Sequence, residues 1–145
     1  SLADRGRMTR TLISDTVESL ARGALAEERF LAAAEQLAAF AWFESVRQTT
    51  AAEDRIGWDF IVSTRDVGRI IFQVKSSVAY ALEFLERGRH MRRVAPIWVV
   101  VVRPRDELAV VVGKVLGACI LAREEALATG LRADDPRLCQ IARAA

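Results

Sequence analysis

The feature that most constrains the fold is a pair of β-rich runs separated by a short polar segment. The runs are Trp58 to Val62 and Ile70 to Val74, and the segment between them ends in Val67-Gly68. β-Branched and aromatic residues favour strands, and a polar segment containing glycine between two such runs favours a turn. The sequence therefore predicts a β-hairpin, and the rest of the chain must pack around it.

The centre of the turn determines which residues face each other across the hairpin. If the turn centres on Asp66, Asp59 lies opposite Gln73, because the two positions are equally distant from the centre. Strand side chains alternate between faces, so Gln73 and Lys75 share one face. Directly opposed Cβ atoms are about 4.5–5.5 Å apart. A carboxylate, an amide oxygen and an ammonium group are therefore expected to converge on one small ion or water.

These polar residues also have an ordinary structural interpretation, in which Gln73 and Lys75 form the solvated face of a half-buried strand. Two observations favour a functional role instead. Aspartate is disfavoured inside strands, yet Asp59 stands between two aromatic residues. Among the 21 basic residues only Lys75 and Lys114 are lysines, so composition alone would favour arginine at position 75, and the lysine there favours a selected role. An ammonium group is a compact point charge that a planar guanidinium does not replace easily.

The hairpin resembles the core of the PD-(D/E)xK nuclease superfamily, whose fold is called restriction-endonuclease-like. In that superfamily an aspartate on one strand and an acid-x-lysine motif on the next strand bind a divalent metal. The matching segments are Gly57-Trp58-Asp59-Phe60 and Phe72-Gln73-Val74-Lys75-Ser76-Ser77. The resemblance extends over residues from about 24 to 90, and its specific part is 57–77. Gly57-Trp58 replaces the proline and Gln73 replaces the second acid, a Gln-x-Lys variant known in the superfamily.

The resemblance implies a nuclease that uses Mg²⁺, or Mn²⁺ as a substitute, to hydrolyse phosphodiester bonds in nucleic acid, with DNA as the expected substrate. Asp59 would bind the metal together with the side-chain oxygen of Gln73 and the carbonyl of Val74. Lys75 would orient the attacking water or stabilise developing charge. A neutral amide oxygen holds a hard cation less strongly than a carboxylate. The alternatives are a nuclease-fold module that binds nucleic acid or protein without cleavage, and a purely structural subunit.

Further acids are candidates for the same site. The resemblance implies a glutamate on the first core helix, for which Glu28 is the best match and Glu35 the second. Glu27 and Glu28 have an alternative role, compensation of the helix dipole in the first turn. Asp54, which lies shortly before the hairpin, is a candidate auxiliary metal ligand or, alternatively, a solvated loop residue.

Phosphate contacts are expected after the hairpin. Ser76 or Ser77 is suited to cap a helix that ends near Gly88, and the N-terminus of such a helix attracts phosphate. The densest basic run of the chain follows at 87–93; a solvated loop between helices is its alternative role. The residues assigned to nucleic-acid contact are Ser77, Arg89, Arg92 and Arg93.

The remaining pattern predicts one α/β domain over residues 1–145, a three-layer sandwich with a central mixed β-sheet flanked by helices. Residues 1–8 are predicted to be a frayed, disordered terminus. Before the hairpin, the predicted elements are a helix from Thr9 to a break at Gly23, a helix from Ala24 to Ala39, a strand from Trp42 to Gln48 and a loop at 49–56. Directly after the hairpin, a helix with the apolar stripe Val78, Ala81, Leu82 and Leu85 is predicted, followed by a strand from Ala95 to Val102 that is buried on both faces. The last predicted elements are a strand from Leu108 to Val112 that pairs with the preceding one, a helix from Gly113 to Ala128 and a short helix from Pro136 that carries Leu138 and Ile141.

Composition narrows the classes further. A net charge of +2 does not by itself identify a nucleic-acid binder. His90 is the only histidine, which excludes zinc sites built from several histidines. Cys119 and Cys139 lack paired spacing, so reduced thiols are expected. Without a long apolar run or a signal peptide, the expectation is a soluble cytoplasmic protein with no membrane partner, able to form a homodimer.

Overall fold

A four-stranded mixed sheet in the order β1-β2-β3-β4 forms the centre of the protein. The computed structural model describes residues 2–139, with side chains from residue 17 onward. β1, β2 and β3 pair antiparallel in sequence order, whereas β4 runs parallel to β3. The strands are β1 (Phe43–Gln48), β2 (Phe60–Thr64), β3 (Arg69–Lys75) and β4 (Ile97–Val101). The helices are α1 (Leu2–Glu35), α2 (Ala51–Arg55), α3 (Val78–Arg87) and α4 (Leu108–Thr129), with 3₁₀ turns at Gln36–Ala39 and Met91–Arg93.

Helices cover both faces of the sheet, so the α/β layered architecture is confirmed. α1 and α4 pack on one face, where Phe30 of α1 lies 4.8 Å from Phe60 and 5.0 Å from Phe72, measured between ring centroids. A smaller cluster on the other face contains Trp58 and Ile71. Gln73 lies two residues after Ile71 and therefore points to this second, thinner face.

The hairpin has the predicted register. Phe60 pairs with Phe72, and Ile61 pairs with Ile71, which places the centre at Asp66. The turn uses Gly68 at φ 86°, a left-handed conformation that favours glycine. The first strand is also confirmed to within one residue, since it begins at Phe43.

α1 differs from the prediction, because one helix replaces the two that were expected on either side of Gly23. An internal glycine costs a helix only about 1 kcal/mol relative to alanine. Gly23 is not in a left-handed conformation and so does not end the helix. The frayed terminus at residues 1–8 stays a prediction, since only the helical backbone of 2–8 is described.

The strand predicted from Leu108 to Val112 is wrong, since α4 already begins at Leu108. Its valines suit a strand locally, but Val111 and Val115 are one helical turn apart and both are fully buried in the core. Tertiary packing thus overrides β-propensity. β4 consequently has no partner beyond β3 and lies at the edge of the sheet. Its expected burial on both faces is wrong, because only Val100 among residues 97–101 is buried.

Smaller differences concern the connections. The predicted loop at 49–56 contains α2, which Thr50 begins through a capping box with Glu53. The predicted apolar stripe of α3 is wrong in part, since Ala81 is buried but Leu82 is 61% exposed. Residues 136–139 are helical as predicted, and Ile141 lies outside the described residues. Neither Cys119 nor Cys139 forms a disulfide bond within the described residues. Within 2–139, every helix is too short or too polar to cross a membrane.

Candidate functional site

Asp59 is held in place by contacts of its whole main chain and of its carboxylate. It directly precedes β2, and its N–H donates to the Phe72 carbonyl at 2.8 Å. Its own carbonyl accepts hydrogen bonds at 2.9 Å from the N–H and from the hydroxyl of Thr49. Oδ2 accepts from the Val74 N–H at 2.8 Å. The carboxylate therefore takes over a position that a main-chain carbonyl would occupy in a regular strand pair.

Burial changes the acidity of this carboxylate. Asp59 is 7% exposed. Burial is the main cause that raises its pKa to about 7, and the charges of Glu27 and Asp54 raise it further. The Val74 N–H and the charge of Lys75 lower the pKa without compensating for burial. Asp59 is therefore half ionised near neutral pH, and a bound cation would favour its charged form.

Gln73 lies across the hairpin from Asp59, as the register of the two strands requires. It is also 7% exposed, and its Oε1 is buried without a hydrogen-bond partner among the described residues. An unsatisfied buried acceptor costs about 1–3 kcal/mol. A water or a hard cation at this oxygen would remove that cost.

Lys75 ends β3 on the same face as Gln73. Its side chain is half-buried, and Nζ lies 5.3 Å from the centroid of the Phe84 ring in α3. Its charge lowers the pKa of both Asp59 and Glu27. The ammonium group therefore lies close enough to the carboxylates to interact with them electrostatically.

An acidic pocket of about 310 Å³ opens beside Asp59. Three carboxylates line it, from Glu27 on α1, Asp54 on α2 and Asp59 itself. Burial raises the pKa of Glu27, and the charge of Asp54 adds to that effect. The other lining residues are Gln48, Thr49, Thr50 and Ala51. Like charges in one small pocket repel each other, and a cation would relieve that repulsion.

The neighbouring acid on α2 has a different role. Glu53 accepts hydrogen bonds from Arg47 at 2.7 and 2.9 Å and from the Thr50 N–H at 2.9 Å. The bonds from Arg47 are the main reason that its pKa falls to about 2. Glu53 thus anchors α2 and leaves Asp54 as the acid that lines the pocket.

Of the predicted site residues, Asp54 and Asp59 line the acidic pocket. Gln73 does not line it, and Lys75 lines a separate pocket together with Phe84 of α3. Glu28 and Glu35 also lie outside the acidic pocket. Both glutamates are exposed, and Glu27 lines the pocket instead. The spacing of apolar residues along α1 could have identified Glu27 as the inward-facing glutamate. Phe30 and Ala34 follow Glu27 by three and seven residues, which places all three on the buried side of α1.

The described residues contain no group of three or more His, Cys, Asp and Glu side chains arranged to hold a metal ion. A cation bound beside Asp59 therefore needs neutral oxygens as well, such as Oε1 of Gln73 or water. Val74, whose carbonyl was the other predicted ligand, contacts the Asp59 carboxylate through its N–H.

The arginines predicted to contact nucleic acid differ in their exposure. Arg89 and Arg93 are exposed, whereas Arg92 is half-buried and donates to the Leu85 carbonyl at 2.7 Å. The Arg92 carbonyl accepts from the Cys139 thiol at 2.6 Å, so this residue helps to hold its own loop. Ser77 caps α3, as predicted, by accepting from the Tyr80 N–H at 3.2 Å.

The arrangement thus combines a buried carboxylate of raised pKa, an unsatisfied amide oxygen, a nearby ammonium group and two further acids. Carboxylate and amide oxygens are the types of ligand that hard divalent cations prefer. Comparison with known proteins found no matching family model, no matching curated protein and no matching solved structure.

Proposed function

We propose that this chain is a metal-dependent nuclease of the PD-(D/E)xK type, with a restriction-endonuclease-like fold, that hydrolyses phosphodiester bonds in DNA. One observation carries the proposal. The buried Asp59 carboxylate, fixed by the Val74 N–H, lies across the hairpin from the unsatisfied Oε1 of Gln73 and shares a pocket with Glu27 and Asp54.

The residues fit Mg²⁺ or Mn²⁺, because a hard cation prefers oxygen ligands and would relieve both the unsatisfied amide oxygen and the repulsion among the acids. Asp59 and Gln73 would hold the ion, with Asp54 and Glu27 close by. When bound, the ion would supply a polarised water and neutralise charge on the phosphate.

Lys75 acts on the reacting groups directly. Phe84 packs near its ammonium group, which restricts the positions that the side chain can occupy. From the end of β3 it orients the attacking water and stabilises the charge that develops on the phosphoryl oxygens. Asp59 must be ionised to participate, so its raised pKa limits the reaction at low pH.

The test is single-turnover cleavage of labelled single- and double-stranded DNA with Mg²⁺, Mn²⁺ or EDTA. We expect cleavage that depends on the metal and is lost in Asp59→Asn. Undiminished cleavage by Asp59→Asn would reject the site.

A second function, binding without cleavage, is favoured by one observation: among the described residues, no three acidic, histidine or cysteine side chains are arranged so that they could hold a metal ion. Wild-type protein that binds DNA but does not cleave it with either metal would establish this function instead.

A further inference from the structure

A second pocket, of about 860 Å³, lies around the N-terminus of α3, and we call it the basic pocket. Its walls come from α1, from residues 76–80 and from the loop that follows β4. Three arginines line it, Arg22, Arg103 and Arg105, and none of its described lining residues is acidic. The pocket lies outside the carboxyl ends of the parallel strands β3 and β4, where α/β proteins commonly bind ligands.

The three arginines have no salt bridge to any carboxylate in the described part of the chain, whereas Arg47, Arg69 and Arg123 each have one. Asp106 is the acid beside this loop. Its carboxylate already accepts from the Arg103 N–H at 2.9 Å and pairs with Lys114 at 3.0 Å. The charge of Arg103 lowers the pKa of Asp106, but no described carboxylate forms a salt bridge with any of the three arginines, so an anion from outside the protein can still pair with them.

Ser76 provides an independent indication of a ligand. It lines the basic pocket, is 8% exposed, and its hydroxyl makes no hydrogen bond within the described residues. The adjacent Ser77 caps α3, so the two serines have separate roles. An unpartnered hydroxyl on a largely buried residue, beside the free N–H groups of a helix N-terminus, is suited to an anionic oxygen.

The loop after β4 is fixed before any ligand binds. Nη1 of Arg29 donates to the carbonyls of Arg103 at 3.2 Å and of Asp106 at 3.0 Å, and also to that of Pro104. Holding the loop in advance lowers the entropic cost of binding at Arg103 and Arg105.

We propose that the basic pocket binds a backbone phosphate of DNA that flanks the phosphate to be cleaved. This rests on the proposed function, which supplies the polymer and the position of the scissile bond. Arg22, which lines the basic pocket, and Glu27, which lines the acidic pocket, both lie on α1.

The test measures binding of a fluorescent DNA duplex by anisotropy at several salt concentrations in EDTA, which keeps the metal site out of the measurement. Each lost phosphate contact should reduce the slope of log K against log salt by about 0.9. We expect this loss in Arg22→Gln, and about twice the loss in Arg103→Gln combined with Arg105→Gln. Arg137→Gln is the matched control, because Arg137 is exposed and paired with Asp135. Its slope should equal that of wild type.

Ser76→Ala should weaken binding without changing the salt slope, because it removes a neutral donor. Arg29→Gln should weaken binding by releasing the loop, with circular dichroism checking that each variant is folded. Wild-type affinity and slope in the folded Arg103, Arg105 variant would overturn the phosphate site, even if cleavage occurs. Conversely, DNA binding that depends on these arginines without any metal-dependent cleavage would keep the phosphate site and reject the nuclease function.

Discussion

The acidic pocket and the basic pocket both include a residue of α1, yet they carry opposite charges. The acidic pocket joins Glu27 of α1 and Asp59 of the hairpin to residues between 48 and 54. The basic pocket joins residues from α1, α3 and the loop after β4, which are far apart in sequence. Ser76 lines the basic pocket, whereas the preceding Lys75 lines neither pocket and lowers the pKa of Asp59 through its charge. Under the proposed function, the chemistry would take place at the carboxylates and the DNA backbone would attach at the arginines.

Asp59→Asn is expected to have the largest effect, because it should change the acidic pocket and leave the basic pocket unchanged. The amide keeps an oxygen that can accept from the Val74 N–H, but it loses the negative charge that a cation requires. We expect metal-dependent cleavage to fall below detection, while DNA binding in Ca²⁺ is retained or strengthened because less negative charge faces the phosphates. Asp66→Asn is the matched control, since Asp66 lies in the hairpin turn and pairs with Arg123. If both variants lose cleavage equally, the acidic pocket is not specific.

Lys75→Ala should reduce turnover by about 10²–10³, the typical cost of losing one electrostatic contact to the transition state. Ground-state DNA affinity should change much less, since the contact strengthens only as charge develops. Lys75→Arg should restore little, because the larger planar group does not fit the position of a compact ammonium group. Single-turnover rates beside anisotropy in Ca²⁺ separate the two effects. An equal loss of rate and affinity would instead place Lys75 with the binding residues.

The pH dependence of cleavage distinguishes the acidic pocket from the basic pocket, because Asp59 changes its charge near pH 7 whereas the arginines stay charged at every pH tested. Cleavage should rise about tenfold per pH unit below pH 7 and level off above it, as Asp59 ionises.

The stability of the metal-free protein should change in the opposite direction. Folding raises the pKa of Asp59 from 3.8 to about 7, so the folded state binds the proton more tightly. Its contribution to stability is complete below pH 3.8 and is lost as the pH rises to 7.

Denaturation of the metal-free protein in urea at several pH values checks this sign. Asp59→Asn should remove the dependence between pH 4 and pH 7, and Mg²⁺ should oppose it in wild type. A wild-type protein that gains stability over this interval, with the same gain in Asp59→Asn, would show that other groups determine the pH dependence.

Glu27→Gln is the smallest expected change and refines the acidic pocket. Removing its charge should lower the pKa of Asp59 and weaken the affinity for the metal by about tenfold, the lower end of the range typical of groups beside metal ligands. Isothermal titration with Mn²⁺ measures the affinity. Glu28→Gln is the matched control on the same helix, since Glu28 is exposed and does not line the pocket. A larger loss in the Glu28 variant would restore Glu28 as the acid of the site.

The choice between Glu27 and Glu28 illustrates what a sequence can predict about a site. The motif indicates an acid on the first core helix but does not determine which of two adjacent glutamates points inward. That depends on the rotation of α1, which the packing of Phe30 against Phe60 and Phe72 determines. A rotation by one residue, about 100°, would exchange the two glutamates.

The sequence by itself determined the hairpin, its register around Asp66 and the face shared by Gln73 and Lys75. These features depend on the alternation of side chains along a strand and on a turn with a glycine at φ 86°. Both are determined by residues that are near each other in sequence. Only the tertiary structure decided that Leu108 begins a helix and that α1 continues through Gly23. It also decided that Arg22, Ser76 and Arg103 line one pocket. Burial against distant residues outweighs local propensities of about 1 kcal/mol, so such features cannot be predicted from neighbouring residues alone.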